Sequence, residues 1–245
     1  MKKFFGVAAV LGSLAAGVLA SPAMAIGPCD TGVLIDWDAD GFAYETAYTP
    51  ATFNSALGSQ LTCVGHVSLF CTPFDDLEAN ILINAKEYTF IFKNLVSAGT
   101  VVSGGGGFNQ YDTDYTGGVF EIWEDTYGDA PRASTPMPPN PPNASVPSKF
   151  INGTKILEGT ISDFHTEITS FMGSANGSFR ANWLFTGGTL YNRVAALGPN
   201  LMQGVWVVTP SSLPTGYSAH PDGKFDAPST PARSSTWGTI KSLYR

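Results

Sequence analysis

Apolar and polar residues along this chain alternate with a period of two. The three-to-four spacing of an amphipathic helix is sustained nowhere, so the pattern is that of strands with one buried face. The clearest run is Tyr88-Thr-Phe-Ile-Phe-Lys-Asn-Leu95, which puts Tyr88, Phe90 and Phe92 on one face and Thr89, Ile91 and Lys93 on the other. Gly118–Asp125 sends Phe120 and Ile122 one way and Glu121, Trp123 and Asp125 the other, and Ser178–Thr186 gathers Phe179, Ala181, Trp183 and Phe185 opposite Arg180 and Asn182. Val33–Trp37, Leu61–Phe70, Thr154–Ile161, Thr189–Val194 and Gly204–Val208 are further candidates, so the core strands are expected to end near Val208. The best helical segment is short, Phe74–Asn84, with Asp75 or Asp76 as its cap and Leu77, Ile81 and Leu82 on one face. Roughly nine strands between Gly-rich turns predict an all-β fold, an antiparallel β-sandwich or jelly roll.

Two turn signals repeat. Tyr115-Thr-Gly-Gly-Val-Phe120 and Phe185-Thr-Gly-Gly-Thr-Leu190 read either as hairpin turns, since glycine tolerates positive φ, or as a duplicated strand–turn–strand unit. Gly104–Gly107 is a loop between strands. It lacks the Lys-Ser/Thr and the helix start of a phosphate loop. Pro131–Pro147 carries seven of the chain's 17 prolines and predicts a long extended excursion from within the domain. His220-Pro-Asp-Gly-Lys-Phe-Asp226 reads as a polar turn.

The N-terminus changes the picture from fold to compartment. Lys2 and Lys3, the apolar run Phe4–Ala20 and the small-x-small triplet Ala23-Met24-Ala25 match a cleavable secretory signal. The expected organisation is therefore a signal peptide at 1–25, a β-sandwich domain at 26–225 and a polar tail at 226–245, with the mature protein secreted or held in a bacterial cell envelope. No second stretch is long and apolar enough to span a membrane. Without Lys2 and Lys3 the chain has a net charge of −9 and its cations are scattered, which argues against nucleic acid as a partner. In the tail, Trp237, Ile240, Leu243 and Tyr244 are spaced to dock on the domain or to be read by an envelope partner. Of the three cysteines, Cys63 and Cys71 are the expected disulfide, with Cys29 as the alternative partner of either.

Candidate chemistry is sparse. Asp36-Trp-Asp38-Ala-Asp40-Gly41 matches the first half of a calcium loop, with carboxylates at alternate positions and a glycine for the bend. The expected Glu at the twelfth position is Ala47, and Glu45 stands two residues away. Asp36, Asp38 and Asp40 are the candidate calcium ligands, with Asp222 or Asp226 as possible distant donors. Glu121 and Asp125 share a strand face as the carboxylates of some glycoside hydrolases do. They fall about 13 Å apart on an extended strand, against about 5–5.5 Å or 6.5–9.5 Å for the two hydrolytic geometries. His66, His165 and His220 lie far apart, with no metal-ligand spacing around them.

The signal-like start, Tyr88–Leu95 and the Thr-Gly-Gly strand pairs together resemble exported β-rich bacterial surface and biofilm proteins of the PEP-CTERM-associated type. The chain lacks that group's Pro-Glu-Pro motif, hydrophobic segment and basic cluster at its end. The resemblance implies a surface or matrix role and supplies no catalytic residues. The leading expectation is a non-enzymatic β-protein with an adhesive, matrix or glycan-binding role, partnered by an extracellular glycan or envelope protein. A secreted carbohydrate-active hydrolase and a structural surface subunit are the alternatives.

Overall fold

The computed structural model describes residues 29, 32–37, 41–80, 83, 85–126, 130, 148–209, 213 and 216–226. The signal-like segment, Asp38 and Asp40, the Pro-rich excursion 131–147 and the tail beyond Asp226 lie outside the described residues. Thirteen strands are present among the described residues. They are β1 (Val33–Trp37), β2 (Phe42–Glu45), β3 (Tyr48–Thr49), β4 (Asn54–Ser55), β5 (Gln60–His66), β6 (Leu69–Phe70) and β7 (Lys86–Gly105). They continue with β8 (Phe108–Thr116), β9 (Val119–Thr126), β10 (Thr154–Phe171), β11 (Ser174–Gly187), β12 (Asn200–Val207) and β13 (His220–Asp226).

The all-β, antiparallel expectation is met. Every paired strand runs antiparallel, and eleven of the thirteen belong to one sheet. The order of that sheet is that of an up-and-down barrel, in place of the expected sandwich or jelly roll. β5 and β6 run in line, and together they pair with β2 and β1, which also run in line. β8 and β9 likewise continue one another along β7 and β10. The chain thus makes eight passes, each paired with the next. The last, β13, returns to β1 and, through Ala219, to Ala43 at the edge of β2. A sandwich and a barrel share the same period-two pattern, so the alternation in the sequence does not separate them.

The inward positions fill the barrel with aromatic rings. Trp37 packs on Phe90 and Phe225 at centroid distances of 5.2 Å, and Phe225 reaches Phe120 at 4.9 Å and Trp183 at 5.2 Å. Tyr88, Phe90 and Phe92 point inward as the alternation requires. Thr89 and Ile91, on the other face of β7, are also buried, because Ala130 and the single turn Ser148–Phe150 cover the barrel's exterior there. Phe42, Val64, Ile91, Phe150 and Tyr217 form this second cluster. Beneath the same cover the buried His66 Nε2 lies 3.0 Å from Glu87 Oε1, and Glu87 Oε2 accepts the Ala130 amide.

Several local expectations are corrected. His220–Asp226 is strand β13, in place of a polar turn, and the core does not end near Val208. Thr189–Val194 forms turns and a 3-10 segment at Tyr191–Arg193. Residues 74–80 form turns in place of a helix start. Phe74 is fully buried, and Asp76 is bound by the Arg193 guanidinium. Neither Thr-Gly-Gly is a tight hairpin. The first is a kink inside the continuous β8–β9 pass, where Gly117 and Gly118 adopt positive φ and a Cβ on Gly118 would meet Leu95 at 2.6 Å. The second ends β11.

The disulfide is also corrected: Cys29 pairs with Cys71, with Cα atoms 5.4 Å apart, and Cys63 is a free, buried thiol. Cys63 and Cys71 lie along one extended β5–β6 pass, eight residues or roughly 26 Å apart at strand rise, too far to bridge. The antiparallel pairing of β1 with β6 instead brings the entry to β1 beside the exit from β6.

Candidate functional site

A cleft of about 600 Å³ opens on the outer face of the barrel, across β10, β11, β12 and β13 to β1. Its walls are built by register. Outward residues on adjacent strands stand directly opposite one another, so one row runs Asp36, Lys224, Gln203, Arg180, His165, Asp114. The next row runs Asp222, Val205, Ser178, Glu167, Asp112. The floor passes over Gly204 and Gly223, which face each other across β12 and β13. Neither position has room for a side chain. A Cβ on Gly204 would lie 2.7 Å from the Phe179 ring, and one on Gly223 would lie 2.5 Å from that ring and 3.0 Å from Trp37. The same two core rings that fill the barrel therefore fix the bare floor of the cleft.

The row positions differ in how far their polar groups are already used. Lys224 Nζ lies 3.6 Å from Asp226, and the Gln203 amide donates to Asp226 at 3.0 Å. Partial burial raises the Asp226 carboxyl above its ordinary range against the opposing pull of Lys224 and Gln203. Arg180 and Glu167 make no hydrogen bond or ion pair among the described residues, and both line the cleft. On β8 and β10, His165 Nδ1 lies 2.7 Å from Asp114 Oδ1, and His165 Nε2 lies 3.6 Å from Asp112 Oδ1. Donor atoms of Asp112, His165 and Glu167 all fall within 4.8 Å of one another.

The residues singled out in the sequence are spread over different parts of the barrel. Asp36 lines the cleft opposite Lys224, and Asp222 stands in the same cleft. Asp38 and Asp40 lie outside the described residues. Glu45 is turned into the barrel, where its carboxylate binds the Ser55 hydroxyl and accepts from Tyr115 at 3.3 Å, so it is not available to the Asp36 side. Gly41 answers to packing: a Cβ there would lie 2.4 Å from the Pro221 carbonyl. Glu121 sits in an ion-pair cluster, 3.0 Å from Lys93 and 3.4 Å from Lys155, with Lys155 also bound to Glu158 and 5.7 Å above the Trp123 ring. Partial burial works against its ionisation, yet Lys93 and Lys155 hold its carboxyl below the ordinary range, the opposite of what a proton-donating acid needs.

No ligand-like spacing surrounds His165 in the chain, so its place in the sequence does not mark it as a ligand. The available signal was the pair of alternations Asp112-x-Asp114 and His165-x-Glu167 on two strands that prove to be neighbours. The charged outer rows also have the reverse polarity of a lipid-facing barrel, whose outer band is apolar, and no helix among the described residues is long and apolar enough to cross a membrane. Comparison with known protein families, with curated proteins and with solved structures finds no match.

Proposed function

We propose that the protein is an exported, non-enzymatic binding module of the cell surface or extracellular matrix, and that its ligand is a carbohydrate held in the outer-face cleft. The observation that carries this reading is the pairing of a cleft of about 600 Å³ with two uncommitted groups of opposite kind on its wall, Arg180 and Glu167. That volume is within the range of small-ligand sites, about 300–1,000 Å³. Guanidinium and ammonium groups only donate hydrogen bonds, carboxylates only accept, and a sugar hydroxyl does both. The two rows set the donors Lys224, Gln203 and Arg180 near the acceptors Asp222, Ser178 and Glu167, with the apolar Val205 between Asp222 and Ser178, a mixture that suits a sugar's hydroxyls and its C–H face. The signal-like N-terminus and the Cys29–Cys71 disulfide support an oxidising, extracytoplasmic setting. The resemblance to exported surface and biofilm proteins agrees with a matrix role.

The test is a glycan array probed with the mature protein, followed by titration of the best saccharide. Removing one charge-assisted hydrogen bond costs about 1.5–3 kcal/mol, so Arg180→Ala and Glu167→Gln should each weaken binding about 10- to 100-fold. An array with no bound saccharide, or affinity untouched by both substitutions, would refute the reading.

A further inference from the structure

We infer that Asp112, His165 and Glu167 form a site for one divalent transition-metal ion of the zinc type at the β8–β10 edge of the cleft. An imidazole nitrogen and one oxygen from each carboxylate lie within 4.8 Å of one another, and the Nε2–Oδ1 pair of His165 and Asp112 is at 3.6 Å. In a tetrahedral zinc site with bonds of about 2.0–2.1 Å, neighbouring ligand atoms are about 3.4 Å apart. Small side-chain rotations therefore close the set around an ion. The register supplies the pairing, because Glu167 stands directly opposite Asp112 on adjacent strands.

Three features go beyond proximity. Asp114 Oδ1, 2.7 Å from Nδ1 of His165, is placed to accept a hydrogen bond from that nitrogen, which leaves the Nε2 lone pair on the side of Asp112 and Glu167. This carboxylate–histidine arrangement is what orients imidazole ligands in metal centres. The amide of Gln110 donates to both oxygens of Asp112 at 3.1 Å and fixes the plane of that carboxylate. Glu167 has no hydrogen bond or ion pair among the described residues, although it faces a like charge directly across the strands, an arrangement that is destabilising when nothing lies between the two charges. A divalent cation removes that repulsion and uses the free carboxylate.

The donor set selects the kind of ion. Calcium takes about six to eight oxygen ligands, whereas one imidazole nitrogen with two carboxylates suits zinc and its transition-metal neighbours. Three protein ligands leave a coordination position open. Because His165 and Glu167 line the cleft, one sugar hydroxyl would fill it. That last consequence rests on the carbohydrate reading, and the ion site does not.

The test is calorimetric titration of the metal-free mature protein with zinc chloride. One equivalent should bind, His165→Ala and Glu167→Gln should each abolish or sharply weaken binding, and Asp114→Asn should weaken it roughly 10- to 100-fold. All three side chains point outward, so each variant should fold, and circular dichroism checks this for each. In imidazole nitrogen spectra only the Nε2 signal of His165 should move. A flat titration, zinc uptake by His165→Ala equal to that of wild type, or a shift confined to His66 or His220 would overturn the inference. Repeating the glycan array with and without chelator separates the two proposals: zinc uptake with a blank array sinks only the carbohydrate, and array binding with a flat zinc titration sinks only the ion.

Discussion

Replacing Phe225 with alanine should cost about 4 kcal/mol of folding stability. Phe225 lies on β13, the strand that returns the sheet to β1, and it is fully buried. Its ring touches Trp37, Phe92, Phe120, Trp183 and Phe185, which come from β1, β7, β9 and β11. A phenylalanine buries roughly 150–250 Å², which at about 25 cal/mol per Å² gives about 4–6 kcal/mol. Measured Phe→Ala losses in cores run about 3–5 kcal/mol. For a chain of this size that corresponds to a fall in Tm of roughly 8–16 °C. Urea denaturation under oxidising conditions, followed by tryptophan fluorescence, reads it directly, since Trp37 and Trp183 both contact the ring. Val205→Ala on the outer face, at a side chain 51% exposed, serves as the control and should stay within about 0.5 kcal/mol. A Phe225→Ala loss below about 1 kcal/mol would mean that β13 does not close the barrel core, and the eight-pass arrangement would fall with it.

Two further predictions concern the interior. Non-reducing peptide mapping should recover Cys29 linked to Cys71, and removing that link should cost about 4 kcal/mol by the chain-entropy relation for a separation of 42 residues. Cys63, whose thiol is pushed up by burial and by the nearby Glu45, should resist alkylation until denaturant is added. Burial also raises the Glu45 carboxyl above its ordinary value of 4.5, against hydrogen bonds from Ser55, Ser59 and Tyr115 that favour ionisation. Because the folded value is the higher one, its contribution is fully present below pH 4.5 and is lost as pH rises through the raised value. Glu45→Gln should remove that part of the pH dependence, and an unchanged stability–pH curve would show that Glu45 does not supply it.

The fold class was legible because period-two alternation is a local property. Tyr88, Phe90 and Phe92 announced an inward face, and Phe179, Ala181, Trp183 and Phe185 another. Closure was not legible, because it depends on which strands meet. β13 escaped notice for a physical reason: Pro221, Gly223 and Phe225 are its inward positions, and two of those three are turn-forming residues in isolation. Gly223 belongs in a strand only because Phe179 and Trp37 occupy the space a side chain would take. Sequence proximity favours Cys63–Cys71 over the alternative with Cys29, whereas the β1–β6 pairing that joins Cys29 to Cys71 spans 42 residues. The Asp112–His165–Glu167 group was hidden in the same way, because its members are 53 and 55 residues apart in the chain and adjacent only through β8–β10 register.

The most direct test of the cleft as the ligand site is a titration of the isotope-labelled protein with the best saccharide from the array, read by amide and arginine side-chain NMR. The account predicts shifts concentrated on β10–β13 around Arg180, Glu167, Gln203 and Asp222, with the Arg180 guanidinium among the largest. Shifts confined to the exposed Phe108 at the β7–β8 turn and Phe171 at the β10–β11 turn, or to the Lys93–Glu121–Lys155 cluster, with the cleft residues silent, would contradict it.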